Sequence, residues 1–259
     1  CYLDETLHAL DDMFNKRDLN PINYLRSLKT IFMHRPYRKM PETGLAIAYL
    51  FALAKGDTDD QAEFNSYCYE ANINPSEVIS EMEASSLDIK KFANPDDLNK
   101  DAFPLSMSVS KIFRESRHYR REILDKMALG SDKMLDLGNL YTAALPAWIA
   151  AGFEQAYEEK IRLENSEILT LGYGSGDAAE VIPMRVTENW RSAAKKINFS
   201  DAMNFAIDLN KKQYFDMHEG LNSKDLDDYT KKNEFVIDQV GNINRKNYQN
   251  FGIEFHRYI

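Results

Sequence analysis

The sequence contains little cysteine and no long apolar stretch, and each shortage excludes a class of protein. Only Cys1 and Cys68 occur among the 259 residues, and they form no CxxC pattern or Cys/His spacing that suits a zinc site. Two cysteines in a chain of this size are typical of a reducing compartment, so we expect a cytoplasmic protein. The longest apolar stretch, residues 44–54, is about half of what a membrane-spanning helix needs. We therefore expect no membrane partner.

Positive charge is also scarce. The chain has 32 Lys and Arg against 41 Asp and Glu, a net charge of −9. Nucleic acids bind cationic surfaces, so we expect no nucleic acid partner for the whole molecule. Repeats of 20–50 residues are absent, which excludes solenoid folds. A hydrophobic fraction of 44% and a charged fraction of 28% are typical of a globular protein.

The hydrophobic pattern mixes helices with strands. A helical pattern that begins at once at residue 2 favours a piece of a longer polypeptide. The order of the elements predicts an α/β fold. The pattern predicts helices over residues 2–16, 42–55 and 142–157, several helices within 57–130 with starts at Asn74-Pro75 and Asn94-Pro95, and strands over 28–33, 167–171, 181–187, 234–240 and the last nine residues.

His34 is the first candidate for a chemical role. It follows the apolar strand of residues 28–33, at the strand end where open α/β sheets bind ligands. Histidine changes its charge near neutral pH, so a histidine there can donate or accept a proton. Pro36 restricts the following loop, and Lys39 lies just beyond it. From position alone, a capping or partly buried structural histidine is the favoured alternative.

A glycine-rich segment is the second candidate. Gly172, Gly174 and Gly176 alternate with larger residues, so backbone N–H groups could approach a phosphate or an oxyanion closely. A dinucleotide-binding fingerprint must open a helix, but β-branched residues and Pro183 follow here. The pattern therefore predicts a hairpin of two strands, and an ordinary turn remains the alternative.

Asn139 is the third candidate. The pair Gly138-Asn139 precedes the small-residue helix of residues 142–157. The carboxamide could contact a ligand carbonyl, or it could cap the helix.

These segments occur together in one known family. Residues 34–40 (HRPYRKM), 138–142 (GNLYT) and 172–176 (GYGSG), in this order, resemble the carboxyl-terminal half of hydroxymethylglutaryl-CoA synthase, a member of the thiolase-fold superfamily. The opening Cys-Tyr-Leu resembles the family's helix just past its midpoint, and residues 235–258 resemble its last hairpin. The resemblance implies that residues 1–259 form the carboxyl-terminal half of a thiolase-like α/β fold, a mixed sheet covered by helices.

The resemblance also implies an activity. The family is an acyltransferase of the mevalonate pathway of isoprenoid biosynthesis, and it joins acetyl-CoA to acetoacetyl-CoA. His34 is then expected to orient and protonate the ketone oxygen of the acetoacetyl group. The resemblance assigns the acetoacetyl group to Asn139, the developing oxyanion to Ser175 and the backbone around Gly174, the CoA arm to Lys39, and the pocket lining to Tyr141 and Tyr173.

The family's nucleophilic cysteine and general-base glutamate belong to its amino-terminal half. The resemblance implies that this half is missing here, so we expect the chain alone to be inactive. It implies no metal or bound cofactor, only CoA thioesters as substrates, and a homodimer. Asp177 stands where many relatives carry an apolar or small residue. Such departures leave open an acceptor on an acyl carrier protein, as in polyketide β-branching, and a non-catalytic subunit that binds acyl-CoA or scaffolds a partner.

Overall fold

The computed structural model describes residues 2–83, 103–174, 178–204, 206, 208–219, 233, 235–246 and 248–259. The chain divides into two units, residues 1–204 and 205–259. Among the described residues, none of the helices has the length and apolarity required to cross a bilayer.

The first unit contains most of the helices and one sheet. Its elements are α1 (Tyr2–Lys16), α2 (Pro21–Ser27), β1 (Thr30–Met33), α3 (Lys39–Ala54), α4 (Thr58–Glu70), α5 (Pro75–Glu83), α6 (Pro104–Phe113), α7 (Arg117–Tyr119, continued by a π turn over Arg120–Leu124), α8 (Ala144–Glu158), β2 (Glu167–Gly174), β3 (Ala178–Arg185), α9 (Trp190–Ala194) and α10 (Phe199–Met203). Two 3-10 turns, Asp132–Met134 and Tyr141–Ala143, precede α8.

The sheet has the strand order β1-β2-β3. Strand β1 pairs with β2 in parallel, with Met33 opposite Leu171. Strand β3 pairs with β2 in antiparallel orientation from Arg185 opposite Glu167 to Ala178 opposite Gly174. The sheet is therefore mixed, as predicted, and β2 and β3 form the predicted hairpin.

Helices cover both faces of this sheet. Helix α1 contacts β2 and β3, and its Tyr2 ring packs against Tyr173. Helix α8 contacts β1 and β2, and its Trp148 packs against Phe32 with 5.8 Å between ring centroids. Neighbouring strand residues point to opposite faces, and Gly172, which precedes Tyr173, approaches Leu145 of α8. The sheet is thus a central layer between α1 and α8.

A glycine allows α8 to lie close to β1. A Cβ atom at Gly152 would lie 2.6 Å from Cε1 of Phe32, and Phe32 is fully buried. The Nε1–H of Trp148 donates a hydrogen bond to the carbonyl of Leu129 at 2.9 Å. These contacts fix β1 and the residues that follow it.

Several element boundaries differ from the predicted ones; β1 begins at Thr30 rather than at residue 28, and β3 covers Ala178–Arg185 rather than residues 181–187. Helix α3 begins at Lys39 rather than at residue 42, because Pro41 is tolerated in a first helical turn. Helix α8 begins at Ala144, since the preceding residues form the 3-10 turn. Strand β2 continues to Gly174. The start predicted at Asn74-Pro75 is confirmed by α5, and the one at Asn94-Pro95 lies outside the described residues.

The second unit contains α11 (Lys211–His218), β4 (Phe235–Val240), β5 (Asn244–Arg245), β6 (Tyr248–Gln249) and β7 (Glu254–Tyr258). Strands β4 and β7 pair in antiparallel orientation, with a register shift between Ile237 and Gln239. The two strands that the sequence predicts in this unit, over residues 234–240 and within the last nine residues, are therefore confirmed.

Candidate active site at the carboxyl end of the sheet

His34 lies beside the glycine-rich end of β2. It follows the last residue of β1, and its backbone N–H donates to the carbonyl of Leu171 at 2.7 Å. This bond extends the parallel ladder by one residue, so His34 is held next to the segment that contains Tyr173 and Gly174. The His34 and Tyr173 ring centroids are 5.9 Å apart. The position predicted for His34, at the carboxyl end of a buried strand, is confirmed.

The surroundings of His34 favour a neutral imidazole. The residue is only 9% exposed, and burial lowers the pKa of its side chain, because the protein interior solvates the charged form less well than water does. Among the described residues, no carboxylate forms an ion pair with this imidazole. A histidine in this setting is neutral at pH 7, and when protonated it is a stronger acid than an exposed histidine.

Tyr2 contacts both His34 and the glycine-rich strand, and the sequence interpretation missed it. Its hydroxyl donates a hydrogen bond to the His34 carbonyl at 3.3 Å. Its ring lies edge-on to Tyr173, with 5.1 Å between centroids and 80° between planes. Burial raises the pKa of the Tyr2 hydroxyl, so the group remains a donor. The periodicity of α1 indicates a buried Tyr2, but no signal in it reveals a partner so far along the chain.

Arg35 connects the residues after β1 with α8 and with the segment that precedes it. One guanidinium nitrogen donates to Oγ of Ser131 at 2.8 Å, and the group lies over the Trp148 ring at 4.9 Å from its centroid. Burial and the neighbouring Arg38 lower the pKa of Arg35. A buried guanidinium on an aromatic face is a specific contact, and the sequence interpretation missed it as well.

The Asn139 side chain forms a local turn just before the 3-10 turn that leads into α8. Its Oδ1 accepts a hydrogen bond from the backbone N–H of Tyr141 at 2.8 Å. The alternative that Asn139 caps the helix is wrong, because Ala143 occupies the N-cap position of α8 and provides no side-chain cap. In the part of the chain that the structure describes, the Asn139 amide nitrogen has no hydrogen-bond partner, and the residue is exposed. The amide nitrogen is free to donate to a ligand.

The turn after Asn139 lies against β2. Residues of Tyr141–Ala143 contact this strand, and a Cβ atom at Gly172 would lie 3.9 Å from Cδ2 of Leu145. Tyr141 has a φ of 52°, a backbone conformation that costs energy in a residue other than glycine. The residue is 73% exposed. Strained backbone of this kind is concentrated at binding sites, and the predicted pocket-lining role of Tyr141 stays a prediction.

Three other predicted site residues keep untested roles. Ser175 lies outside the described residues, in the connection between β2 and β3. Gly174, at the exposed end of β2, pairs with Ala178. The next described element is the strand β3 and not a helix, which excludes the dinucleotide fingerprint. Lys39 is exposed at the first turn of α3, and its carbonyl accepts from Oγ1 of Thr43 at 2.8 Å.

The cysteines offer no alternative centre in the described structure. Cys68 is fully buried in α4, and burial raises its pKa to about 11, so it is a thiol at neutral pH rather than a reactive thiolate. Cys1 lies outside the described residues.

Comparisons with known proteins identify the family. The sequence matches the family described as "Hydroxymethylglutaryl-coenzyme A synthase C terminal" over residues 1–240. Among solved structures, the fold is similar to one described as "MvaS in complex with 3-hydroxy-3-methylglutaryl coenzyme A", with a TM-score of 0.57 and 15% sequence identity over 100% of this chain and 49% of that chain.

This likeness confirms the thiolase-like α/β fold, and the chain spans about half the length of the solved structure. No curated protein matches the chain at a significant level. Because the family match covers 240 of 259 residues, the chain belongs to the hydroxymethylglutaryl-CoA synthase carboxyl-terminal family.

Proposed function

We propose that this chain supplies the acetoacetyl-binding and proton-donating part of a hydroxymethylglutaryl-CoA synthase. The observation that carries the proposal is the position of His34, a buried histidine beside the glycine-rich end of β2, in a chain whose family membership extends over this whole region.

The reaction forms a carbon–carbon bond to a ketone. The methyl carbon of an acetyl group, held as a thioester on a cysteine of the amino-terminal half, loses a proton to a glutamate of that half and attacks the ketone carbon of acetoacetyl-CoA. The electron pair of the C=O bond moves to the oxygen, which takes up a proton. Water then cleaves the thioester to the enzyme and releases hydroxymethylglutaryl-CoA.

His34 is the group that handles the proton at the ketone oxygen. An N–H of the ring donates a hydrogen bond that polarises the ketone. The proton that reaches the alkoxide comes from the imidazolium form, which is a stronger acid than an exposed imidazolium because burial lowers the pKa of His34, and the ring is left neutral. Because His34 is only 9% exposed, water screens both interactions less than it would at the surface. Burial of His34 thus suits an acid that acts on a developing oxyanion.

Asn139 and the glycine-rich strand would bind the rest of the acetoacetyl group. The Asn139 oxygen is occupied by the Tyr141 N–H, which fixes the carboxamide and leaves its nitrogen as a donor for a carbonyl. Ser175 and the backbone near Gly174 would stabilise negative charge on the thioester oxygen. Lys39, exposed at the start of α3, would lie near the CoA arm, with Tyr141 and Tyr173 lining the pocket.

The assembly around this site belongs to the same proposal. The nucleophile and general base come from an amino-terminal half, so these residues alone are expected to be inactive. Acetyl-CoA and acetoacetyl-CoA are the substrates, no cofactor is required, and the enzyme works as a cytoplasmic homodimer.

Substitution of His34 tests the proposal. In the full-length gene product, His34→Ala should lower the rate of condensation by about 10²–10⁴-fold, the usual contribution of a positioned acid. Acetylation of the enzyme by acetyl-CoA, followed by mass spectrometry, should continue, because that step does not involve the ketone. Offering the acetoacetyl group on CoA and on an acyl carrier protein in parallel identifies the acceptor.

His8→Ala is the matched control, since His8 is an exposed histidine on α1. It should condense at the wild-type rate. Condensation by His34→Ala at the wild-type rate would refute the assigned role.

A further inference from the structure

Tyr2 links the two strand ends that the proposed site combines. Its hydroxyl reaches the His34 carbonyl, and its ring packs against Tyr173, whose own ring faces the His34 imidazole. The three rings therefore form one cluster in which the first residue of α1 contacts the ends of both β1 and β2.

The contacts hold the His34 backbone from two sides. The His34 N–H is bound by the Leu171 carbonyl at 2.7 Å, and its carbonyl is bound by the Tyr2 hydroxyl at 3.3 Å. The first bond belongs to the sheet, but the second depends on a single side chain. Without it, the peptide after His34 loses its described contact with α1.

The space for the Tyr2 ring is provided by Gly44 of α3. A Cβ atom at this position would lie 3.2 Å from Cε1 of Tyr2 and 3.6 Å from Cε of Met33. Tyr2 is 9% exposed, so the ring is enclosed between α3 and β2. A ring confined in this way has few alternative rotamers and keeps its hydroxyl on the His34 carbonyl.

The His34 imidazole has no described hydrogen-bond partner of its own. Its orientation therefore depends on the backbone that carries it and on the Tyr173 ring beside it. Both of these contact Tyr2. A shift of about 1 Å in a catalytic group lowers rates by as much as ~10²-fold.

We propose that Tyr2 is a positioning residue for His34: its hydroxyl fixes the His34 peptide and its ring holds Tyr173 against the imidazole. The inference rests on the proposed function for its effect on catalysis. Its effect on the imidazole itself does not require any activity.

Tyr2→Phe removes the hydroxyl and keeps the ring, and Tyr24→Phe is its matched control. Tyr24 is 7% exposed, and its hydroxyl donates to Glu167 at 2.7 Å, at the opposite end of β2. Both variants thus lose one buried tyrosine hydroxyl that contacts the same sheet. Only one of them is next to His34.

In the full-length gene product, the two variants should differ in kcat and in the pH profile. In Tyr2→Phe, kcat for condensation should fall about three- to tenfold, the loss expected for one hydrogen bond, with little change in the KM for acetoacetyl-CoA. The limb of the pH profile on which the rate falls as His34 loses its proton should move toward the pKa of an exposed histidine. Tyr24→Phe should keep the wild-type kcat and pH profile, whatever its melting temperature.

NMR titration of the ¹³C-labelled His34 ring separates this inference from the proposed function. The titration midpoint should rise in Tyr2→Phe, rise further in Tyr2→Leu, which also removes the ring, and stay constant in Tyr24→Phe. If the wild-type protein does not condense the two thioesters, the proposed function fails, and the titration still decides the role of Tyr2. An unchanged His34 midpoint in both Tyr2 variants, or an equal effect of Tyr24→Phe, would overturn the inference.

Discussion

Replacing Gly152 by alanine should destabilise the layer between α8 and β1. A Cβ atom at Gly152 would lie 2.6 Å and 2.7 Å from two ring carbons of Phe32 and 3.3 Å from the Leu129 carbonyl. Phe32 cannot move away easily, because it is fully buried and packs against both Trp148 and Phe153.

The size of the effect depends on two opposing contributions. Overpacking of a buried site costs typically about 1–3 kcal/mol, and alanine gains about 1 kcal/mol over glycine in a helix interior. We therefore expect a net loss of about 1–2 kcal/mol in the free energy of unfolding. Equilibrium unfolding in urea, monitored by circular dichroism, measures it.

Two further variants isolate the cause. Gly138→Ala is the matched control, since a Cβ atom there would have no atom within 4 Å, and its free energy of unfolding should be unchanged or slightly higher. In a Phe32→Leu background, Gly152→Ala should lower the free energy of unfolding by less than it does in the wild type. The difference is the coupling energy between the two sites, which is about 0.5–3 kcal/mol for residues in contact. If Gly152→Ala proves as stable as the wild type, α8 and β1 do not approach each other as closely as the structure indicates.

Two more predictions concern His34 and Asn139. Because burial lowers the pKa of His34, the unfolded chain binds more protons than the folded one between this lowered pKa and the ordinary histidine value of about 6.5. The urea midpoint should therefore fall with decreasing pH across this window more steeply in the wild type than in His34→Asn, and equal slopes would contradict the burial of the ring. Asn139→Asp keeps the oxygen that accepts from Tyr141 but loses the amide donor, so the melting temperature should be retained while kcat/KM for acetoacetyl-CoA falls about tenfold or more. A matching loss of stability would indicate that Asn139 acts only in stabilising this local turn.

The candidate site residues at the strand ends could be predicted from the sequence, because these residues lie at or directly after apolar runs. Residues 28–33 are apolar enough to indicate a buried strand, and β1 is buried at each of its residues, so His34 falls at its carboxyl end. The hairpin after Gly172 could be predicted from the residues beyond the glycines, since Pro183 suits a strand at the edge of a sheet and β3 is such a strand. Both inferences use neighbours in the chain, and both are confirmed.

The contacts that fix His34 could not be predicted in this way, because they are made by residues whose local pattern has another meaning. Tyr2 lies with Leu7 and Leu10 on the buried face of α1. This pattern indicates packing of the ring and gives no sign that the hydroxyl forms a hydrogen bond. Arg35 belongs to a cationic run that is typical of an exposed loop, yet the residue is 6% exposed and stacked on Trp148.

A buried cation or phenol is stable only with partners, and here those partners come from α8, from the residue before the first 3-10 turn and from the residue that follows β1. Sequence patterns thus identify the group that reacts, whereas the groups that orient it become visible only when the layers are assembled. For this reason, removal of the Tyr2 hydroxyl tests how His34 is held more directly than a substitution within residues 34–40, 138–142 or 172–176.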